Sequence, residues 1–256
     1  MRRAFSLRAF SLEWAAAALL AASVASPLGV GPDAAAAADA KVDLTSCLAP
    51  SAAAGDTRVF DTSQGTQLTE TVLDVEGWQG REGWTSVVEA RLGAHTPTVR
   101  ETFVKPGKRL LLGDLSVGDL RIKIGQPENW LPLEAVPGRS YRANVHGKAL
   151  RDGQHVGRAV VKSDWEIVGF EPLTTPGGSY SDTVHIAASR NVEVKYNDVG
   201  TKIRQESDVE LWCVDGVGVV AASYVFRFYK NGKLVDEVAD LDSWLVSATV
   251  DGVAVN

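Results

Sequence analysis

The chain has 256 residues, 45% hydrophobic and 23% charged, with a formal net charge of -6. The acidic balance argues against nucleic acid and anionic membrane surfaces, both of which favour basic patches. The length suits one domain or two small ones with a substantial buried core.

Residues 1–40 have the parts of an export signal. Arg2, Arg3 and Arg8 form a basic start, Ala15 to Val30 is apolar, and Ala38-Asp39-Ala40 is a small-x-small cleavage site before Lys41. A membrane-spanning helix needs about 20 apolar residues, and Pro27, Gly29, Gly31 and Pro32 interrupt this stretch. A secreted or periplasmic location is therefore expected, with no membrane span in the mature chain. Arg2-Arg3-Ala4-Phe5 resembles a twin-arginine signal, but Arg-Ala-Phe-Ser-Leu occurs in tandem at 3–7 and 8–12. The choice between twin-arginine and general export stays open. Leu44-Thr45-Ser46-Cys47 superficially fits a lipid-anchor box, yet Asp33, Asp39, Lys41 and Asp43 separate it from the apolar stretch.

Residues 41–65 are rich in alanine and serine and read as an irregular lead-in that crosses the sheet or hangs loosely. Cys47 and Cys213 are the chain's two cysteines. In an oxidising compartment they are expected to form a disulfide, with two free buried thiols as the alternative.

Residues 66–256 read as a single antiparallel β domain. Short runs rich in β-branched and aromatic residues, separated by Gly, Pro, Asn and Asp, predict strands. They fall near 67–75, 84–91, 98–104, 119–124, 139–147, 157–169, 181–188, 191–197, 207–214, 217–230 and 243–250. Asn231-Gly232 predicts a two-residue hairpin, since a type I′ turn needs positive φ at both positions. Pro176-Gly177-Gly178 predicts a sharp reversal. Trp212-Cys213-Val214-Asp215-Gly216-Val217-Gly218-Val219-Val220 reads as strand, glycine turn and strand, with Gly216 and Gly218 bending the sheet.

Two blocks resemble a group of TapB-like secreted bacterial domains, related in shape to the lipoprotein-carrier half-barrels. In that group a strand ending Gly-x-Glu leads to a Thr-x-Pro-Ala-Gly-Thr-Phe turn, and a Trp-Tyr-Ala-Pro-Gly-Val-Gly-Leu-Val strand follows. Here Gly169-Phe170-Glu171 leads to Thr175-Pro176-Gly177-Gly178-Ser179-Tyr180, and Trp212 to Val220 supplies the second block. Cys213 stands where the group has tyrosine, and Asp215 where it has proline. The resemblance implies a strongly curved antiparallel sheet, a half-barrel, around a hydrophobic interior.

Chemistry-bearing patterns are few. Gly216-Val217-Gly218 lacks the further glycine and helix of a nucleotide loop. Neither a Gly-x-Ser-x-Gly elbow nor a His-Glu-x-x-His motif occurs. His95, His146, His155 and His185 are widely spaced, and the Asp236, Glu237, Asp240 and Asp242 cluster fits no calcium loop. No catalytic residue, metal or cofactor is assigned. Large aromatics can line a site for a greasy ligand, and Trp84, Trp165, Trp212 and Trp244 are the candidates. The expectation is a monomeric, exported, non-enzymatic protein binding a lipid or other hydrophobic molecule on the concave face of its sheet. The alternative is a solid-cored module that meets a partner protein of the cell envelope.

Overall fold

The computed structural model describes residues 41–48, 54–74, 83–91, 98–104, 109–117, 119–197 and 200–255. The expected export signal lies outside the described residues. The chain begins with β1 (Val42–Asp43) and a single helical turn, α1 (Thr45–Leu48), followed by β2 (Thr57–Thr62), β3 (Gln67–Asp74), β4 (Gly83–Arg91), β5 (Thr98–Val104) and β6 (Arg109–Val117). Next come β7 (Leu120–Pro132), β8 (Glu134–Ala135), β9 (Ser140–Arg151), β10 (Gln154–Thr175) and β11 (Gly178–Tyr196). The last elements are β12 (Lys202–Val214), β13 (Gly218–Lys230), β14 (Lys233–Val250) and β15 (Val253–Val255).

The architecture is all-β and antiparallel. Thirteen strands form one sheet in the order β13-β12-β11-β10-β9-β7-β6-β5-β4-β3-β2-β14-β15, and β1 pairs separately with β8. Strand β13 also pairs with β14, so both flanks of the first strand in this order are hydrogen-bonded. The long β14 makes this connection: Trp244 faces Ala221 of β13 on one side and Asp61 of β2 on the other. A strand paired on both sides presents no free ladder for unwanted association.

Local chemistry sets the hairpins. Asn231 and Gly232 both take positive φ, 49° and 81°, in the two-residue turn that pairs Lys230 with Lys233. The strands are longer than the sequence runs suggest. The two expected strands at 181–188 and 191–197 are one continuous strand, β11, and the expected 157–169 strand extends to Gln154–Thr175. The irregular reading of 41–65 needs correction at its end, where β2 alternates half-buried with buried residues. Arg58 occupies one of the buried positions, so the apolar alternation that marks a strand is broken in the sequence.

Period-two alternation gives most strands one buried face. In β10 to β13 those faces carry Val161, Ile167, Ile186, Val194, Val209, Leu211, Val220 and Phe226, all 2% exposed or less. They belong to one hydrophobic cluster that also takes in Phe60, Leu68, Leu112, Ile122 and Val145 from the other strands. The N-terminal segment joins this cluster. Leu44 donates its backbone N–H to the Leu133 carbonyl at 2.7 Å, Asp43 caps the Thr45 N–H at 2.8 Å, and Leu44 and Cys47 are buried at 0% and 3%. Cys47 is disulfide-bonded to Cys213 of β12, with Cα atoms 5.5 Å apart. The lead-in therefore crosses from β8 to β12 on the buried face.

Tyr224 of β13 is buried in this core, 5% exposed. Desolvation pushes its phenol far above the ordinary tyrosine range, and the negative charge of Glu70 adds to the rise, while a hydrogen bond with Ser243 opposes it. The unfolded phenol loses its proton near pH 10, while the folded one keeps it. Stability contributed by this group is therefore complete below pH 10 and lost above it, at about 1.4 kcal/mol per pH unit. Urea unfolding between pH 9 and 11 is expected to show this slope, and Tyr224→Phe to reduce it. The same substitution is expected to cost about 1 kcal/mol at pH 7 through the lost hydrogen bond. An identical alkaline slope in both proteins would contradict the assignment.

Candidate functional site

The buried face of β10, β11 and β12 carries a polar row inside an otherwise apolar wall. Ser163 faces Arg190 across the β10–β11 ladder, and Arg190 faces Ser207 across the β11–β12 ladder. Ser163 is 1% exposed, Arg190 2% and Ser207 2%. Next to them, Gln205 is 4% exposed, and Trp165, two residues along β10 from Ser163, is 5% exposed. Val161, Val192, Val209 and Phe226 complete the surroundings on the same face.

The strand period places these groups. In β11 the buried phase runs Ile186, Ala188, Arg190, Val192, Val194, and in β12 it runs Gln205, Ser207, Val209, Leu211, Cys213. Polar residues substitute for apolar ones without shifting the phase. A buried hydroxyl without a hydrogen bond costs about 1–3 kcal/mol. The Ser163 and Ser207 hydroxyls have no such partner among the described residues. Directly opposite residues have Cβ atoms about 5 Å apart, so both hydroxyls flank the base of the Arg190 side chain.

The four candidate tryptophans do not converge. Trp165 is on the buried face beside Ser163. Trp84 lies in β4, where its backbone pairs with Asp74 and Phe103. Trp212 is half-buried on the opposite face and is tied into a local cluster. Its ring stacks on His185 at 4.7 Å between centroids, and its indole N–H donates to Glu171 Oε1 at 2.5 Å. His185 Nδ1 lies 3.1 Å from Glu171 Oε1, and Nε2 lies 3.1 Å from Glu210 Oε2. The two carboxylates thus engage different ring nitrogens instead of converging on a common point. No group of three or more His, Cys, Asp or Glu side chains among the described residues is placed to hold a metal ion. An open groove of about 510 Å³ includes Ser140, Arg142, Asp164, Trp165, Glu166 and Asp208 in its lining, so Trp165 is the one of the four tryptophans that borders it. Its Arg142–Asp164 pair, at 2.6 Å, is largely solvated and contributes little.

Trp244 belongs to a docking contact within the chain. Beyond Glu166, β10 has no pairing with β9, and β10 and β11 continue together to the 175–178 turn. That turn reaches β14: a Cβ on Gly177 would collide with the Leu245 carbonyl oxygen and lie 3.3 Å from Trp244 Cδ1. Glycine is required here by close backbone approach. Gly177→Ala is expected to lift the turn from β14, cost about 1–3 kcal/mol, and speed protease cleavage between Val168 and Thr183. Cleavage at the wild-type rate would show that the contact does not hold the hairpin down.

No family model matches the chain, and no curated protein matches it. Among solved structures it is similar to a candidate lipoprotein of Parabacteroides distasonis, 14% identical, with a TM-score of 0.44, covering 77% of this chain and 96% of that one. It is also similar to a candidate exported protein of Bacteroides fragilis with a YmcC-like fold, at 14% identity and a TM-score of 0.40, with the same coverage.

Proposed function

We propose that this is an exported, non-enzymatic protein that holds a hydrophobic molecule against the buried face of its sheet. Export is supported by the basic start, apolar stretch and cleavage site of residues 1–40, and by a disulfide suited to an oxidising compartment. The observation that carries ligand binding is the combination of an extended apolar wall with one concentrated set of buried polar groups at Ser163, Arg190 and Ser207. Binding sites for small molecules have this composition: mostly apolar lining and a few placed polar groups. A core serving stability alone gains nothing from two buried hydroxyls without hydrogen bonds. Native mass spectrometry and lipid extraction of protein purified from its own compartment are expected to reveal a co-purifying apolar molecule. An empty protein that also fails to take up added amphiphiles would reject this reading.

A second reading, a solid-cored module that contacts an envelope partner, is favoured by the position of Leu44 and Cys47. These side chains occupy the buried face themselves and would compete with a ligand for space. The same mass measurement separates the readings, since a solid core carries nothing.

A further inference from the structure

We infer that residues 168–183 form a flap over one end of the core, and that His185 latches it shut while its ring carries a proton on both nitrogens. The latch is independent of whether the core holds a ligand. Among the described residues, β10 and β11 pair only with each other from Val168 to Thr183: the β9 ladder ends at Glu166 and the β12 ladder begins at Val184. A two-stranded hairpin is marginally stable by itself, so contacts at its base and tip decide whether it stays down. A register shift between Ile167 and Gly169 marks the base. On the inner side Leu173 and Tyr180 pack against the core cluster, and Thr183 is 0% exposed, its hydroxyl donating to the Glu171 carbonyl at 2.6 Å. The tip is held where Gly177 meets the Leu245 carbonyl and Trp244.

His185 holds the base. It lies opposite Gly169 of β10 and Trp212 of β12, with its ring stacked on the indole. Its Nδ1 is 3.1 Å from Glu171 Oε1 on the flap, and its Nε2 is 3.1 Å from Glu210 Oε2 on β12. A carboxylate only accepts, and a neutral imidazole has a single N–H. Both contacts are therefore hydrogen bonds in the imidazolium form alone, and loss of one proton leaves two lone pairs facing each other. Glu171 also accepts the Trp212 indole N–H, so the same carboxylate ties the flap to β12 twice. The His185 and Glu210 side chains are each 12% exposed, which limits screening of their attraction by salt. The charges around them favour the imidazolium as well. Strand β10 adds Glu166 opposite Ala187, and β12 adds Asp208, which is paired with Arg227 of β13 at 2.6 Å. Strand β13 sets the uncharged Ala221 and Ser223 opposite Trp212 and Glu210. Closure thus holds a proton that the lifted flap has no carboxylate pair to retain. The flap is held most firmly at the acid end of the range in which histidines change charge, about pH 5 to 8, and loosens as pH rises through it.

The test is hydrogen exchange of the mature protein, read by mass on peptides within 168–184 from about pH 5 to 8 and corrected for the intrinsic pH dependence of amide exchange. Protection of the flap is expected to fall about tenfold across this range, the factor that loss of one hydrogen bond to a charged group gives, while peptides of β9 keep theirs. E210Q is the decisive variant, because a glutamine amide can donate to an unprotonated Nε2. In E210Q the flap is expected to stay protected at the upper end of the range and the pH dependence to vanish. H185F lacks both ring contacts and is expected to show, at every pH, the fast exchange that wild type reaches only at the upper end. Both variants are checked for an intact disulfide and a cooperative thermal transition, and if H185F does not fold, E210Q decides. Flap protection that does not change with pH in wild type overturns the latch, and so does an E210Q protein that keeps the wild-type dependence. A loss of protection spread evenly over β9 and the flap overturns the local device and assigns the titration to global unfolding.

Discussion

The double replacement C47A/C213A is expected to cost about 5 kcal/mol of folding stability, the value that the chain-entropy account gives for so long a closed loop. The two cysteines are 166 residues apart, so the bond restricts most of the described chain in its unfolded state. Both side chains are buried, at 3% and 0% exposure, and alanine avoids placing a new hydroxyl there. The loss has a local component as well. Asp43 and Thr45 to Leu48 make a single capped turn, too short to be stable alone, and the two-residue β1 gives it little backbone support. Without the bond, Leu44 is expected to leave the core, although its position 0% exposed implies good packing. For a protein of this size the thermal midpoint should fall by roughly 10–20 °C. Wild-type protein in reducing agent should behave like the double variant. A difference under about 1 kcal/mol in urea unfolding would show that the pairing contributes little beyond packing.

Sequence and structure agree where alternation is pure and diverge where polar residues enter the buried phase. The Thr98–Val104 strand and the turns at Asn231-Gly232 and Asp215 to Val217 follow from β-branched runs and turn residues. In β11, however, Ser189-Arg190 reads as a break between two strands, because two polar residues interrupt the apolar pattern. The period was the usable signal: Ile186, Ala188, Arg190, Val192 and Val194 keep one phase throughout. A charged residue in that phase is both why the strand is misread as two and where the candidate site lies. The N-terminal strand is hidden by the same effect at Arg58. The tryptophans illustrate the opposite difficulty. Residue type alone cannot tell Trp165, on the buried face, from Trp212, engaged with His185 and Glu171 on the other face. Gly177 and Gly216 likewise look equivalent in sequence. Gly216 serves a turn with φ of 72°, whereas Gly177 serves a close approach to β14 that sequence neighbours do not encode.

Arg58→Ala is the other substitution with a large expected effect. Arg58 lies in β2 opposite Glu70 of β3, and its Nη1 is 3.1 Å from Glu70 Oε2. On the other flank it faces Ala248 of β14, and its Nε donates to the Val217 carbonyl at 3.2 Å. One side chain thus ties β2 and β3 to the turn between β12 and β13, past the strand that joins the two ends of the sheet order. The Arg58 side chain is 7% exposed and that of Glu70 17%. Removing Arg58 takes away the cation 3.1 Å from Glu70 Oε2, and breaking a buried pair from one side costs about 3–5 kcal/mol. Part of this cost is a penalty on Glu70, so removing both charges should be milder than removing one. R58M/E70L is therefore expected to recover more than half of the loss seen in R58M alone, measured by urea unfolding of wild type, R58M, E70L and R58M/E70L in a double-mutant cycle. If E70L worsens R58M, the carboxylate is held by other partners and the tie runs through the Val217 carbonyl instead. Gly218 offers an independent check: its Cα is placed so that an added Cβ would lie 3.1 Å from Arg58 Nε, at a φ of 96°. Gly218→Ala should therefore lose stability in the wild-type background for two reasons, strain and crowding of Arg58. In the R58A background only the strain remains, so the cost of Gly218→Ala should shrink there.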